Sequence, residues 1–335
     1  MTHIVDQITG HRRMRRNRKA DWTRRLVQES RLTVDDLIWP IFVVPGTNVV
    51  EPIPSMPGVN RMSVDRLVEA AKEAADLGVP ALATFPNIEM SLRDETGSNS
   101  LAADNLINQA TRALKQHVPQ IGVITDVALD PFTSHGHDGI LRGSEIVNDE
   151  TVEQVARAAV VQADAGSDII SPSEMMDGRI GAIRQALDDA GHQNVGIMSY
   201  ATKFSSAFYG PYREAIGTGG LLKGDKKTYY IDPANGTEAI RDAALDVEEG
   251  ADMLMVKPGL PYLDICWRMK EAFGLPVFAY QVSGEYAQIK AAAMNGWIDG
   301  DRVMMETLLA FKRAGCDGIL SYFAVEVARA LAKKG

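Results

Sequence analysis

Short apolar runs, bounded by Gly, Pro or charged residues, alternate along the chain with longer stretches whose apolar residues fall three and four apart. Leu37–Val44 is the first run and reads as a buried strand. Ser63 then stands at a helix start, ahead of an apolar face of Leu67, Ala70, Ala71, Ala74 and Leu77 that stops at Gly78. The alternation continues with a strand at Ala81–Pro86, a helix near 100–117, a strand at Gly122–Leu129 and a helix over 151–166. Asp168–Ser173 is a fourth strand, a helix follows from about Gly178 to Ala190, and a fifth strand, Val195–Lys203, leads to a sixth that ends on Lys257. Val277–Ser283 and Gly318–Phe323 complete the set. Eight near-continuous apolar strands separated by helices predict an α/β fold, a (β/α)8 TIM barrel with its parallel sheet covered on the outside. An open doubly wound sheet is the competing architecture, but no GxGxxG opens the first helix.

Two of the runs close on a lysine: Met253–Val256 leads into Lys257-Pro-Gly, and Val195–Thr202 into Lys203. Burial disfavours an ammonium, and two ammonium groups in one cleft disfavour each other, so both are candidate neutral amine nucleophiles. The bland alternative for each alone is a side chain that snorkels from a strand end to solvent. Neighbouring strands lie about 4.8 Å apart, so two amines at adjacent ends can reach one small molecule. An amine that attacks a ketone or aldehyde forms an imine, which acidifies the next carbon and permits carbon–carbon chemistry with no organic cofactor. At the ordinary lysine pKa only about one amine in 2500 is neutral at pH 7, so both lysines need a lowered pKa.

In a barrel, chemistry collects at the C-terminal strand ends, where Asp126, Ser173, Lys203, Lys257, Ser283 and Tyr322 fall. The loop after the third strand adds Asp130, His135, His137 and Asp138. These match no specific metal spacing; the histidines either bind a cation or hold a tight Gly-rich loop, and the carboxylates suit proton transfer or the stabilisation of cationic amines. Residues 204–230 interrupt the repeat with a Gly-, Lys- and Tyr-rich insertion, read as a mobile lid over an anionic ligand rather than a solvated loop.

Composition narrows the class. A chain of 335 residues, 45% hydrophobic and 24% charged, suits one large domain with a sizeable core. Its two cysteines, Cys266 and Cys316, lie in no metal or redox spacing, which argues against a disulfide framework and a structural zinc. No apolar run is long enough to span a membrane and the Arg-rich N-terminus has no signal-peptide core, so a cytoplasmic location is expected. The net charge of −9 hides an asymmetry: residues 12–25 hold eight Arg and Lys against Asp21, or +7, leaving −16 for the remainder. Such an arm either binds nucleic acid or lies on an acidic surface of its own or a neighbouring subunit; the acidity of the remainder favours the second.

Seven segments together resemble the porphobilinogen synthase (5-aminolaevulinate dehydratase) family: Met14–Arg18, Pro54–Gly58, Asp126–Gly139 (DVALDPFTSHGHDG), Ser171–Arg179 (SPSEMMDGR), Tyr209–Arg213, Met255–Gly259 and Tyr280–Tyr286. The resemblance covers residues 12–334. It implies a lyase that condenses two molecules of 5-aminolaevulinate into porphobilinogen with loss of two waters, an early step of haem synthesis. By position, Lys257 and Lys203 match the two imine-forming lysines, Ser283 and Tyr322 the hydroxyls on one substrate's carboxylate, and Arg213 and Lys226 the cations on the other's. Asp126, Asp130, Asp138 and Ser173 join the catalytic set, and Phe208 and Tyr280 the substrate walls. Where the zinc-dependent branch has three cysteines this chain has Ala128, Asp130 and Asp138, so active-site zinc is not expected. Asp242 stands where a glutamate holds a remote magnesium in some members, which implies weak magnesium stimulation or none. The resemblance also implies a homo-oligomer, an octamer or a hexamer, with residues 1–30 as a contact arm on a barrel of residues 31–335, and neither nucleic acid nor membrane as partner. A one-lysine aldolase acting on a phosphorylated sugar, and a nucleic-acid-binding protein using the arm, are the competing functions.

Overall fold

The computed structural model describes residues 13–333, and among the described residues eight parallel strands close on themselves. They are β1 (Leu37–Val43), β2 (Ala81–Pro86), β3 (Gly122–Val127), β4 (Ile169–Pro172), β5 (Gly196–Lys203), β6 (Met253–Lys257), β7 (Val277–Gln281) and β8 (Gly318–Ser321). Each pairs with the next, and β8 returns to β1 through Leu37 with Ile319 and Ile38 with Leu320, so the predicted TIM barrel forms with no free edge. The outer layer comprises α1 (Val64–Asp76), α2 (Leu106–His117), α3 (Asn148–Asp164), α4 (Arg179–Asp189), α5 (Gly236–Glu248), α6 (Leu263–Phe273), α7 (Ser283–Met294), α8 (Gly300–Arg313) and α9 (Ala324–Ala332). The strands are buried almost throughout, because one face meets the barrel interior and the other meets the helices.

Three local expectations change. The helix placed near 100–117 starts at Leu106, because the Asn105 side chain accepts the Asn108 N–H at 3.0 Å and caps it there. Residues 98–101 form only a 3-10 turn. Ser283 belongs to α7 and not to the seventh strand: Glu285 accepts the Val282 N–H at 2.7 Å, which starts the helix and ends β7 at Gln281. Ser63 occupies the cap position of α1, but its hydroxyl accepts the Val49 N–H and donates to Asp65 instead of capping.

The pairing of β5 with β6 sets the site. Leu254 faces Ser199, yet Val256 faces Thr202 and Lys257 faces Lys203, so β5 carries one extra residue between these pairs. Side chains alternate faces along a strand. Without the bulge Lys257 would oppose Thr202, and Lys203 would point to the opposite face.

Of the predicted arm, residues 1–12 lie outside the described residues, as do residues 334 and 335. The described part carries a short helix, Asp21–Leu26, with Trp22, Leu26 and Val27 exposed. Among the described residues no helix is long and apolar enough to cross a membrane.

Candidate active site

Lys257 and Lys203 end adjacent strands as paired residues, are almost wholly buried, and line one cavity with Asp130, Tyr209, Tyr212, Arg213, Lys226 and Tyr230. Lys257 sits in an aromatic cage, its Nζ 4.8 Å from the ring centre of Tyr280, 5.0 Å from those of Tyr200 and Tyr212, and 5.6 Å from that of Tyr209. Burial, and then the charge of Lys203, bring its pKa down to about 7 against the opposing pull of Asp126, Asp130 and Asp138. About half of the amine is then neutral at pH 7, roughly a thousandfold more than for an ordinary lysine. Lys203 has different surroundings. Its Nζ donates to the Ser173 carbonyl at 2.6 Å and lies 3.3 Å from Asp138 and 4.5 Å from the centre of the Tyr230 ring.

The aspartates differ sharply in environment. Asp138 is fully buried, and burial alone would raise its pKa. Lys203 and Lys226, the latter at 2.7 Å, outweigh that and hold it below the usual carboxylate range, helped by the Tyr230 hydroxyl. Asp130 is pushed up by burial and by Asp138, with Lys226 3.8 Å away. Asp126 is raised to about 6, mainly by burial and against the pull of both active lysines and the nearby Ser173 side chain, and its Oδ1 has no partner among the described residues. One carboxylate held well below the usual range and one that titrates near 6 thus lie by the same pair of amines, an arrangement suited to proton transfer.

The insertion after β5 folds over this cavity. It carries a helix over Gly210–Ala215 and continues through residues 218–230, from which Lys226 reaches the aspartates. The cavity lined by both lysines is about 20 Å³, room for about one water and none for a keto acid, because the insertion packs down over it. Ser283 is buried and occupied by the lid: its Oγ accepts the Tyr212 N–H at 2.9 Å and donates to the Phe208 carbonyl at 3.4 Å. The Tyr322 and Tyr280 hydroxyls bond each other at 2.8 Å beside the cage. All the predicted site residues except Asp242 therefore gather around one end of the barrel or on the lid above it.

The delta-aminolevulinic acid dehydratase family model matches residues 11–330. The chain is 60% identical over 323 residues to the delta-aminolevulinic acid dehydratase of Bradyrhizobium diazoefficiens, covering 96% of this chain and 92% of the relative. It is 52% identical to that of Rhodobacter capsulatus, over 95% of this chain and 96% of the relative. The crystal structure of the Toxoplasma gondii ME49 dehydratase (porphobilinogen synthase), in complex with its reaction product porphobilinogen, superposes with a TM-score of 0.95 at 44% identity, covering 98% of this chain and 93% of the other. The chain belongs to the delta-aminolevulinic acid dehydratase family.

As a member of that family the chain needs no organic cofactor, and the competing aldolase and nucleic-acid readings receive no support. Ala128, Asp130 and Asp138 offer no thiolate, and both aspartates already face lysines. Among the described residues no group of three or more His, Cys, Asp and Glu is arranged to hold a metal ion. His135 and His137 instead brace their loop: His135 Nε2 meets the Glu95 carbonyl and His137 bonds to the lid.

A larger cavity, about 570 Å³, shares Tyr230 with the lysine cavity and is walled also by Asp177, Arg179, Glu238, Asp242, Asp246 and Glu249. Chemistry outranks size here, since the amines and the perturbed aspartates line the smaller space. Asp242 is half-buried there, and its pKa rises to about 6 through burial and the charges of Glu238 and Asp246.

Sequence reasoning missed the supports of the dehydratase site. Glu285, fully buried and raised to about 7 by burial, accepts the N–H groups of Leu260, Val282 and Gly259, tying the turn after Lys257 to the start of α7. Tyr209 donates to the carbonyls of Phe204 and Lys257, linking the ends of both lysine-bearing strands. Arg179 lies between Asp246, at 3.0 and 3.1 Å, and Glu174, at 3.6 Å. Glu285 and Arg179 lie within segments already singled out in the sequence, but nothing in the sequence marks either as buried.

Proposed function

We propose that Lys257 and Lys203 each capture the ketone of one 5-aminolaevulinate as an imine, and that the chain joins the two into porphobilinogen with loss of two waters. The single observation that carries this reading is the register pairing of two buried lysines on one cavity. Lys257, in the cage, is the readier nucleophile. Lys203, beside Asp138, has a carboxylate to stabilise the cationic iminium once formed. Asp126, with Ser173 beside it, carries protons to and from the reacting carbons, since a group titrating near 6 both accepts and donates at neutral pH.

Each substrate also brings a carboxylate. Arg213 and Lys226 grip one from the lid, and Arg does so with two parallel bonds. Ser283 and Tyr322 take the other, exchanging their present partners for it as the lid opens and recloses, with Phe208 and Tyr280 as apolar walls. Asp130, paired with Lys226, keeps that lysine aimed inward until substrate arrives.

The exposed Trp22, Leu26 and Val27, beside a cluster of arginines, make the arm a contact for a second copy of the chain in a cytoplasmic homo-oligomer. The mutual repulsion around Asp242 suits a hydrated magnesium as a remote activator, since a cation there relieves it.

Borohydride reduction in the presence of 5-aminolaevulinate, followed by peptide mapping, tests the reading. Adducts are expected on Lys257 and on Lys203. Adducts elsewhere, or none with active protein, would sink it.

A further inference from the structure

One side chain at the site has no place in this chemistry. His137 is buried at the tip of the aspartate loop, and both ring nitrogens face the lid: Nε2 meets the Lys223 carbonyl at 2.7 Å and Nδ1 meets the Tyr229 hydroxyl at 3.0 Å. Those two partners flank Lys226, which lies between them in sequence and reaches Asp138 at 2.7 Å. The N–H groups of Tyr229 and Tyr230 both return to the Lys226 carbonyl, so the segment is a tight turn gripped on either side of its functional residue. The grip is braced from below. His137 N–H donates to His135 Nδ1, the Thr133 hydroxyl donates to the His137 carbonyl, and His135 is fixed to Glu95. Contact between loop and lid is close: at Gly136, with φ +74°, a side chain would meet the Leu222 backbone nitrogen at 3.2 Å.

We infer that His137 is a positioning residue, a latch that holds the lid shut and thereby presents Lys226 to the substrate. The donors and acceptors at both ring nitrogens are compatible with these two contacts. Lys223 O can only accept, so Nε2 carries a proton. Nδ1 then either accepts from the Tyr229 hydroxyl or, in the doubly protonated ring, donates to it while Tyr229 donates to Asp138 at 3.0 Å. Both His137 contacts are kept in the two arrangements, but only the second leaves the Tyr229 proton for Asp138.

The inference rests on the reading of Lys226 as the grip on a substrate carboxylate, and its test separates the two. His137→Phe keeps a ring and removes both bonds; His137→Gln keeps a donor and an acceptor. Full-length protein is digested briefly with trypsin without substrate, and cleavage after Lys223, Lys226 and Lys227 is followed by mass spectrometry. Loss of two hydrogen bonds should speed lid cleavage about tenfold in His137→Phe, with the Gln variant near the wild-type rate. With 5-aminolaevulinate the Phe variant should raise KM about tenfold and change kcat much less, and Gln should restore it. If His137→Phe does not fold, Tyr229→Phe removes the bond to His137 from the lid side together with the bond to Asp138, and should speed lid cleavage at least about threefold. Unchanged lid cleavage in a folded variant overturns the latch, and faster cleavage with unchanged KM overturns the positioning of Lys226. Neither result touches the imine chemistry, which stands or falls by the trapping experiment.

Discussion

Replacing Lys257 by Met should make the protein more stable while abolishing product formation. The native pKa of about 7, against 10.5 for the free side chain, means that the folded state holds a deprotonated amine where the unfolded state holds an ammonium. The unfolded chain therefore binds more protons between these two values, and stability falls as pH drops from about 10.5 to 7. Integrated from that shift, the buried amine costs about 4 kcal/mol at pH 7.5 and about 1 kcal/mol at pH 10. Met is of similar length, uncharged, and packs well against the rings of Tyr200, Tyr212 and Tyr280. For a chain of this length the unfolding entropy converts those figures to a rise in Tm of about 5 °C at pH 7.5 and about 1 °C at pH 10. Thermal unfolding of wild type and variant at the two pH values, at equal protein concentration and without substrate, measures both. A variant that is no more stable at pH 7.5, or a gap that does not shrink as pH rises, would refute the claim that burial keeps this amine neutral.

Asp138→Asn strips Lys203 and Lys226 of their shared carboxylate and leaves Lys226 with only Asp130 at 3.8 Å, which should cost about 3 kcal/mol in denaturant unfolding and most of the activity. Gly284→Ala places a methyl group against the backbone of Phe208 where the lid leaves the barrel, so a loss of about 1–3 kcal/mol is expected, read as a lower denaturation midpoint. Asp242→Ala should remove any activation by added magnesium while leaving activity in chelator at the wild-type level, since the residue does not line the cavity of the lysines. Strict dependence on zinc in the same assay would contradict the chemistry assigned to Asp130 and Asp138.

Periodicity along the chain determined the barrel. Runs too short for helices, such as Leu37–Val43 and Met253–Lys257, have one stable use when separated by helices, which is as strands buried on both faces. The motifs determined the family, because Asp126–Gly139 and Met255–Gly259 keep chemically demanding residues in fixed order. The positions of both lysines at strand ends were legible for the same reason: a charge that closes an apolar run marks the end of burial in the sheet. Ser283 was misplaced by two residues because the helix that begins there is started by Glu285, whose bonds to three backbone N–H groups carry no linear signature. Whether the two amines share a cavity was decided only in three dimensions. Alternation along β5 leaves Thr202 or Lys203 facing Lys257 depending on a single extra residue, and that bulge depends on how two strands far apart in sequence settle against each other. The lowered pKa of Lys257 belongs to the tertiary structure as well, since the cage of Tyr200, Tyr209, Tyr212 and Tyr280 is drawn from two strands and the lid. Periodicity reports which side of one element is dry; it carries no information on which dry sides meet.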